Sequence, residues 1–389
     1  MKKTIYLDNC SDTKPFKEVS DYICKTMNDS FGNPSSMHSM GIEAENIIKE
    51  ARKTIAKTLK CSTNEIYFTS GGTESNNLAI RGYLSANKRQ GKHILTSKIE
   101  HPSVLNVFED LKKSGYDVEY LDVDENGVIK LETLKKMIRS DTVLLSIIYI
   151  NNEIGTIQSI GEITKLRDSI NKKLCIHLDA VQAYGKIRIS PKRLGIQMLS
   201  VSSHKIHGPK GCGAIFIDEK IKIKPLVFGG GQERNIRPGS ENVPGIAGFG
   251  MASEIINSGI DENYNSMSKM KKMFVENLKK NFDDIKINSN ENGSPYILNV
   301  SFLGVKAEVL LNHLNKKNIY VSTGSACSSR KSLQSHVLKA IGLRKEQTEG
   351  AIRFSFSSGN TESDIIKTIE ALKEIIPQIK MKNYRGDVR

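Results

Sequence analysis

Cys175-Ile176-His177-Leu178-Asp179 and, one connection later, Leu199-Ser200-Val201-Ser202-Ser203-His204-Lys205 decide how this chain folds. Each opens as a short apolar run and closes on a group that can do chemistry, a carboxylate in the first and a lysine beside a histidine in the second. Short apolar runs that alternate with helical patterns build β–α units of a mostly parallel sheet. The same alternation extends over residues 65–217, with further strands expected over 66–69, 93–97, 118–122, 143–150 and 214–218. Ligands of open α/β sheets gather beyond the carboxyl ends of the strands. Those ends are followed here by Gly71-Gly72-Thr73, Glu100-His101, Asn151-Asn152, Asp179-Ala180 and His204-Lys205, so one pocket is expected to collect all five.

Beyond the sheet, Gly229-Gly230-Gly231 and residues 232–245 read as a long loop, followed by helices over 246–257 and 263–281. The pattern then restarts with strands over 297–302, 319–321 and 351–356 and helices over 307–314, 333–341 and 362–375, an α+β arrangement. A chain of 389 residues is long for one core. The expected division is a large domain over 15–260 and a small one formed by 1–14 and 261–389, the latter carrying a cysteine loop. Hydrophobic residues make up 38% and charged residues 26%, with 30 glycines and 10 prolines, which is globular usage and excludes a disordered chain. Met1-Lys2-Lys3 runs directly into the strand-like Thr4-Ile5-Tyr6-Leu7, and no run approaches the ~20 apolar residues of a membrane span, so a cytoplasmic protein without a membrane partner is expected. The six cysteines form no C-x-x-C pair, against a zinc ribbon, a thioredoxin-type motif or a disulfide framework. A formal charge of +14 suits nucleic acid or an acidic protein partner. The lysines, however, are spread along helix-like segments such as 49–60 and 269–280 without interleaved aromatics, so direct nucleic-acid binding is not expected.

Ser70-Gly71-Gly72-Thr73-Glu74-Ser75 lies between a strand and a helix, where glycines permit a tight turn and backbone N–H groups with the Thr73 hydroxyl face an anion. Taken alone, the same turn also reads as a helix capped by Ser70 or Thr73. A carboxylate and a lysine at adjacent strand ends suit pyridoxal phosphate: the lysine amine binds the cofactor covalently, and the carboxylate keeps the pyridine nitrogen protonated. The rival is a metal site built from His177, Asp179, His204 and His207, for which no helix motif of the His-Glu-x-x-His kind speaks, and no metal is expected. Cys327 stands in Ser322-Thr323-Gly324-Ser325-Ala326-Cys327-Ser328-Ser329, small residues that cannot fill a core. An accessible thiol near cationic groups favours its thiolate and serves as a sulfur nucleophile.

Together these stretches resemble the pyridoxal-phosphate cysteine desulfurases of the NifS/IscS type, within the class V aminotransferase-like group. Further markers are Tyr6-Leu7-Asp8-Asn9, Phe31-Gly32-Asn33-Pro34-Ser35-Ser36, Asn151-Asn152-Glu153-Ile154-Gly155, His177-Leu178-Asp179-Ala180-Val181-Gln182 and the glycine-rich turn His207-Gly208-Pro209-Lys210-Gly211. The resemblance covers nearly the whole chain. It implies the aspartate-aminotransferase-like fold of pyridoxal-phosphate-dependent transferases, a large, mostly parallel seven-stranded sheet domain with a smaller α+β domain. It also implies conversion of L-cysteine to L-alanine, with the sulfur held as a persulfide on Cys327 and passed to an acceptor protein, an iron–sulfur scaffold or a thiolation carrier. A selenocysteine lyase, another class V lyase and a weakly active scaffold stay open beside it.

By the same resemblance Lys205 carries the cofactor, Asp179 meets the pyridine nitrogen, Gln182 the ring oxygen, and His101 stacks on the ring and, with Lys205, moves protons. Gly72, Thr73, Ser202 and His204 hold the phosphate. Asn152 and Arg353 orient the substrate carboxylate, and Asn152 also lies against the cofactor. A homodimer is implied, in which the loop over 229–240 crosses to the partner subunit and gives the Ser240 hydroxyl to the other phosphate. Two departures stand out. The family's usual Asp-Asn-Ala-Ala-Thr-Thr appears as Asp8-Asn9-Cys10-Ser11-Asp12-Thr13, and the threonine usual in Arg-x-Gly-Thr appears as Ser240. Asp12 is expected either to repel the Cys327 thiolate and the substrate carboxylate or to turn outward and cap Thr13-Lys14-Pro15.

Overall fold

In the computed structural model, which describes residues 4–323 and 335–380, the apolar runs become the strands of a seven-stranded sheet. In chain order the strands are β1 (Ile5–Tyr6), β2 (Ile66–Thr69), β3 (His93–Ser97), β4 (Asp117–Leu121), β5 (Thr142–Ile148), β6 (Cys175–Asp179), β7 (Met198–Ser202), β8 (Gly213–Ile217), β9 (Ile285–Ile287), β10 (Ile297–Phe302), β11 (Ile319–Tyr320) and β12 (Ala351–Ser355). The large sheet has the order β2-β8-β7-β6-β5-β3-β4. Every residue of β3, β5, β6, β7 and β8 is buried, as a sheet covered on both faces requires.

The sheet is mostly parallel, but β8 runs against both of its neighbours, β2 and β7. The cause is the short connection over 203–212: a parallel return needs a crossover of a dozen or more residues, usually a helix, and here only the tight turn Ser203–Lys205 intervenes. β5 stops at Ile148 instead of running to residue 150, because Tyr149 N–H turns to Asp179 O and Ile150 bridges to Ile157. The β5–β6 register sets Ile148 opposite Asp179, and the β6–β7 register sets Asp179 opposite Ser200. The carboxyl ends of three central strands therefore lie side by side.

Helix Val243–Ser258 is apolar on nearly all sides and packs against helices Ser39–Leu59 and Lys17–Asp29. Its contact with the first depends on Gly250, where a Cβ would fall 2.8 Å from both the Cα and the Cβ of Ala51. In the carboxyl-terminal part β10 lies between β12 and β9, antiparallel to both, and helix Ile260–Asn281 sets Phe274 edge-on against Phe354 with ring centroids 4.9 Å apart. The helix expected over 333–341 is observed as His336–Ala340, capped by Ser335, and the last helix runs on from Glu362 to Ile379.

Residues 4–16 tie the three-stranded sheet to the large one. β1 pairs in parallel with β11, and Ser355 N–H donates to Leu7 O. Asn9 Nδ2 donates to Ser355 O at 2.9 Å. Thr13 N–H then reaches His204 O, and Phe16 N–H reaches His207 O, in the turn after β7. No helix among the described residues is long and apolar enough to cross a membrane.

Candidate active site

The carboxyl ends of β5, β6 and β7 open into a cavity of about 240 Å³. It collects Gly72, Thr73, His101, Asn152, Asp179, Gln182, His204, Lys205 and Arg353, residues from all five expected strand ends and from β12. One wall is the start of a helical run, Gly72–Asn77, which continues through a π-type turn, Leu78–Gly82, into Tyr83–Ala86. Gly72 is required there, since a Cβ would lie 2.6 Å from Val181 Cγ2 just past the end of β6. The N-cap is Gly71, with no side-chain cap. Instead Ser70 N–H donates to Glu74 Oε2 at 2.6 Å, and Arg237 Nε holds Glu74 Oε1 at 2.8 Å. Neither Ser70 nor Thr73 is the cap, so the Thr73 hydroxyl is not spent on it. Ser202 Oγ faces Gly71 across this cup, buried and without a hydrogen-bond partner among the described residues. A buried hydroxyl is costly to leave unpaired, and an oxyanion seated on Gly72 and Thr73 would satisfy it. The residues present therefore fit the phosphate of pyridoxal phosphate.

Asp179 closes β6 and is buried. It accepts Asn76 Nδ2 at 2.8 Å on Oδ2 and Val181 N–H at 3.0 Å on Oδ1, two donors that aim the carboxylate into the cavity. Behind it Glu100 is fully buried and accepts a short hydrogen bond from Ser97 Oγ. Burial, with a smaller contribution from Asp179, pushes the Glu100 carboxyl up to about 8. Glu100 is thus neutral at pH 7, and Asp179 is the carboxyl that faces the pocket.

His101 is the N-cap of helix Pro102–Lys113. Its Nδ1 accepts Ser103 N–H at 3.1 Å, and because a backbone N–H can only donate, the ring proton sits on Nε2. Burial pushes this imidazole toward its neutral form; Asp179 opposes, and Lys205 and His336 assist. Lys205 stands in the turn after β7, with Nζ 2.5 Å from Cys10 O and 2.7 Å from Ser11 O. Gln182 donates from Nε2 to Cys10 O at 2.9 Å and accepts Lys186 Nζ at 2.6 Å on Oε1. A lysine has no acceptor, so it fixes which way the Gln182 amide points. Arg353 leaves β12 fully desolvated, with Nη1 on Asn152 O at 2.9 Å and Nη2 on Asp8 Oδ1 at 2.8 Å and Ser11 Oγ at 2.7 Å. Its Nε is buried without a partner among the described residues.

Three expected residues are not among those that line this cavity. Ser202 is buried against Gly71. Ser240 is exposed and lines no part of it, and Cys327 lies outside the described residues. The rival metal reading fails on geometry. His177 is buried inside the sheet between Ser146 Oγ at 2.8 Å and Ser200 Oγ at 2.9 Å, its imidazole pushed down to about 3 by burial. His207 stacks on Phe16 with centroids 4.4 Å apart. Among the described residues no group of three or more His, Cys, Asp or Glu side chains could hold a metal ion. Asp12 turns its carboxylate away from the cavity, but to His204 Nδ1 at 3.1 Å and to the Lys210 ammonium rather than onto residues 13–15. Sequence reasoning missed Asn76, Ser103 and Lys186, and the approach of the Cys10 and Ser11 carbonyls to Lys205. Asn76 was within reach of it, since a residue three after Thr73 shares its helix face.

A family model for aminotransferase class V matches residues 5–367. The cysteine desulfurase IscS of Dictyoglomus turgidum is 42% identical over 381 residues, covering 98% of this chain and 96% of that protein. The cysteine desulfurase IscS of Methanosarcina thermophila is 43% identical over 384 residues, covering 97% of this chain and 93% of that protein. Among solved structures, a NifS-like protein superposes with a TM-score of 0.92 at 37% identity, over 97% of this chain and 100% of its own.

Proposed function

Since the chain belongs to the class V aminotransferase family, among the pyridoxal-phosphate cysteine desulfurases of the NifS/IscS type, we propose that its cavity converts L-cysteine to L-alanine and delivers the sulfur to Cys327. The observation that carries this is the meeting of Asp179, Lys205, Gly72 and Thr73 around one cavity, a carboxylate, an amine and an anion cup at adjoining strand ends, with the unpartnered Ser202 hydroxyl buried against Gly71. Pyridoxal phosphate, when bound, takes up the electron pair released at the substrate α-carbon. Lys205 would hold it through the side-chain amine and move the α-proton. Asp179, aimed by Asn76 and Val181 N–H, would pair with the ring nitrogen. Gln182 Nε2, oriented by Lys186, would turn to the ring oxygen, and His101 would cover the ring face with its proton on Nε2. Gly72, Thr73, Ser202 and His204 would hold the phosphate.

Arg353 and Asn152 would fix the cysteine carboxylate, so that the thiol side of the substrate faces the opening. The Cys327 thiolate then attacks the substrate sulfur. The carbon–sulfur bond breaks, a sulfur–sulfur bond forms on Cys327, and the pair left on carbon takes a proton to give alanine. The protein acts in the cytoplasm as a homodimer, with Ser240 reaching the partner's cup, and passes its sulfur to an iron–sulfur scaffold or a thiolation carrier. Mass spectrometry after incubation with L-cysteine tests this: added sulfur at Cys327 together with released alanine is expected, both lost in Lys205→Ala with the visible absorption of the lysine-bound cofactor. Unchanged alanine release by Cys327→Ser would refute the assignment and direct attention to Cys10.

A further inference from the structure

Asp12 stands where the chain leaves its family's pattern, and its neighbours hold it firmly. Tyr6 Oη donates to its carbonyl at 3.1 Å, while the next residue, Thr13, donates from both N–H and Oγ1 to His204 O. The side chain is three-quarters covered, with Oδ1 3.1 Å from His204 Nδ1 and Oδ2 on the Lys210 ammonium. His204 itself lines the cavity beside Gly72 and Thr73.

We infer that Asp12 is a positioning residue for the cofactor phosphate: it accepts a hydrogen bond from His204 Nδ1–H, fixes the ring plane, and favours the imidazolium whose Nε2–H is a charged donor to the anion cup. The inference rests on the assignment of His204 to that phosphate. Its chemistry follows from the two ring nitrogens. A neutral imidazole that gives its proton to Asp12 presents a lone pair at Nε2, which repels an anion, whereas only the doubly protonated ring donates at both ends. A threonine at position 12, the family's usual residue, has no charge with which to favour that form.

The groups facing His204 divide by sign. Burial acts first and pushes it toward the neutral ring, and the Lys205 and Lys210 ammonium groups push the same way; Asp12 opposes them through its hydrogen bond and its charge. Lys210 shares the Asp12 carboxylate, but its side chain is 77% exposed, so solvent screens that pair. Phosphate retention is therefore full below the titration of His204 and declines as the pH rises through it. Removing Asp12 moves that decline to lower pH.

The test uses apo full-length protein with selectively labelled histidines. The His204 titration is followed by NMR, and binding of pyridoxal phosphate and, separately, of inorganic phosphate is measured at pH 7.5. Asp12→Asn is expected to lower the His204 titration by about one pH unit and to weaken both ligands about tenfold. Lys210→Met, a change on an exposed side chain that leaves folding intact, is expected to raise the titration. Equal or tighter binding by Asp12→Asn, or a His204 titration indifferent to both changes, overturns the inference and favours simple repulsion between Asp12 and the phosphate. His204→Ala separates the two levels. If it binds pyridoxal phosphate as tightly as the unaltered protein, the assignment of His204 to the phosphate fails and the inference with it. If it binds weakly while Asp12→Asn binds normally, only the role of Asp12 fails.

Discussion

Glu100→Gln isolates the energetics of a carboxyl buried behind the site. One Glu100 oxygen accepts from Ser97, the other has no partner among the described residues, and burial raises the group to about 8. An unfolded glutamate titrates near ~4.3. Between these values the folded protein keeps a proton that the unfolded chain has released, so stability falls by about 1.4 kcal/mol per pH unit as pH rises. From pH 5.5 to 7.5 the loss is about 2.7 kcal/mol, and over the whole window about 5 kcal/mol. Glutamine cannot titrate, so this slope vanishes in the variant. His101, His177, His204 and His207 are shifted toward their neutral forms and give the opposite slope, but they do so in both proteins and cancel in the difference. Urea unfolding of the two proteins at a series of pH values measures that difference. It is expected to grow in favour of the variant by about 2–3 kcal/mol between pH 5.5 and 7.5. Parallel stability profiles would refute the claim that Glu100 is neutral in the native state, and with it the isolation of Asp179 as the carboxylate facing the pocket.

Arg353→Lys keeps a cation against Asp8 but loses the planar fork that spans Asp8, Ser11 and Asn152, so KM for L-cysteine is expected to rise roughly tenfold or more while kcat changes less; alanine formation measured over a range of cysteine concentrations checks it, and an unchanged KM would remove Arg353 from the carboxylate site. If the 229–240 loop crosses as proposed, Ser240→Ala leaves a dimer in sedimentation yet sheds cofactor faster on dialysis; a monomer that retains full cofactor would contradict the crossing loop.

The strand ends were legible because each closes a buried apolar run. Residues that must pack on both faces of a sheet leave a clear pattern, and Asp179, Lys205, His101 and Gly72 fall directly after those runs. The direction of β8 was also within reach, since the segment between Lys205 and Gly213 is too short for a crossover. What could not be read is the placement of Cys10, Ser11 and Asp12. Their partners, Lys205 and His204, lie more than 190 positions away in sequence, and no local periodicity reports a contact of that kind. The outward direction of the Asp12 carboxylate follows from the Lys210 ammonium and the His204 ring across the turn, partners that position alone does not report. Lys186 was hidden for a simpler reason: a lysine after a glycine reads as surface, and only the fold shows it buried against Gln182.

The strap formed by residues 4–16 also sets an order of assembly. This stretch leaves the ribosome before any of its partners exist, yet Asn9 must wait for Ser355, 346 positions later, and Lys205 can reach the Cys10 carbonyl only once the strap is down. Contacts so distant along the chain form late, after the β–α units with their local pairings have consolidated. During synthesis the large sheet can present Asp179 and Lys205 while the roof over them is still missing. Residues 4–16 are thus among the last to settle, and the site is roofed only after β12 has been made.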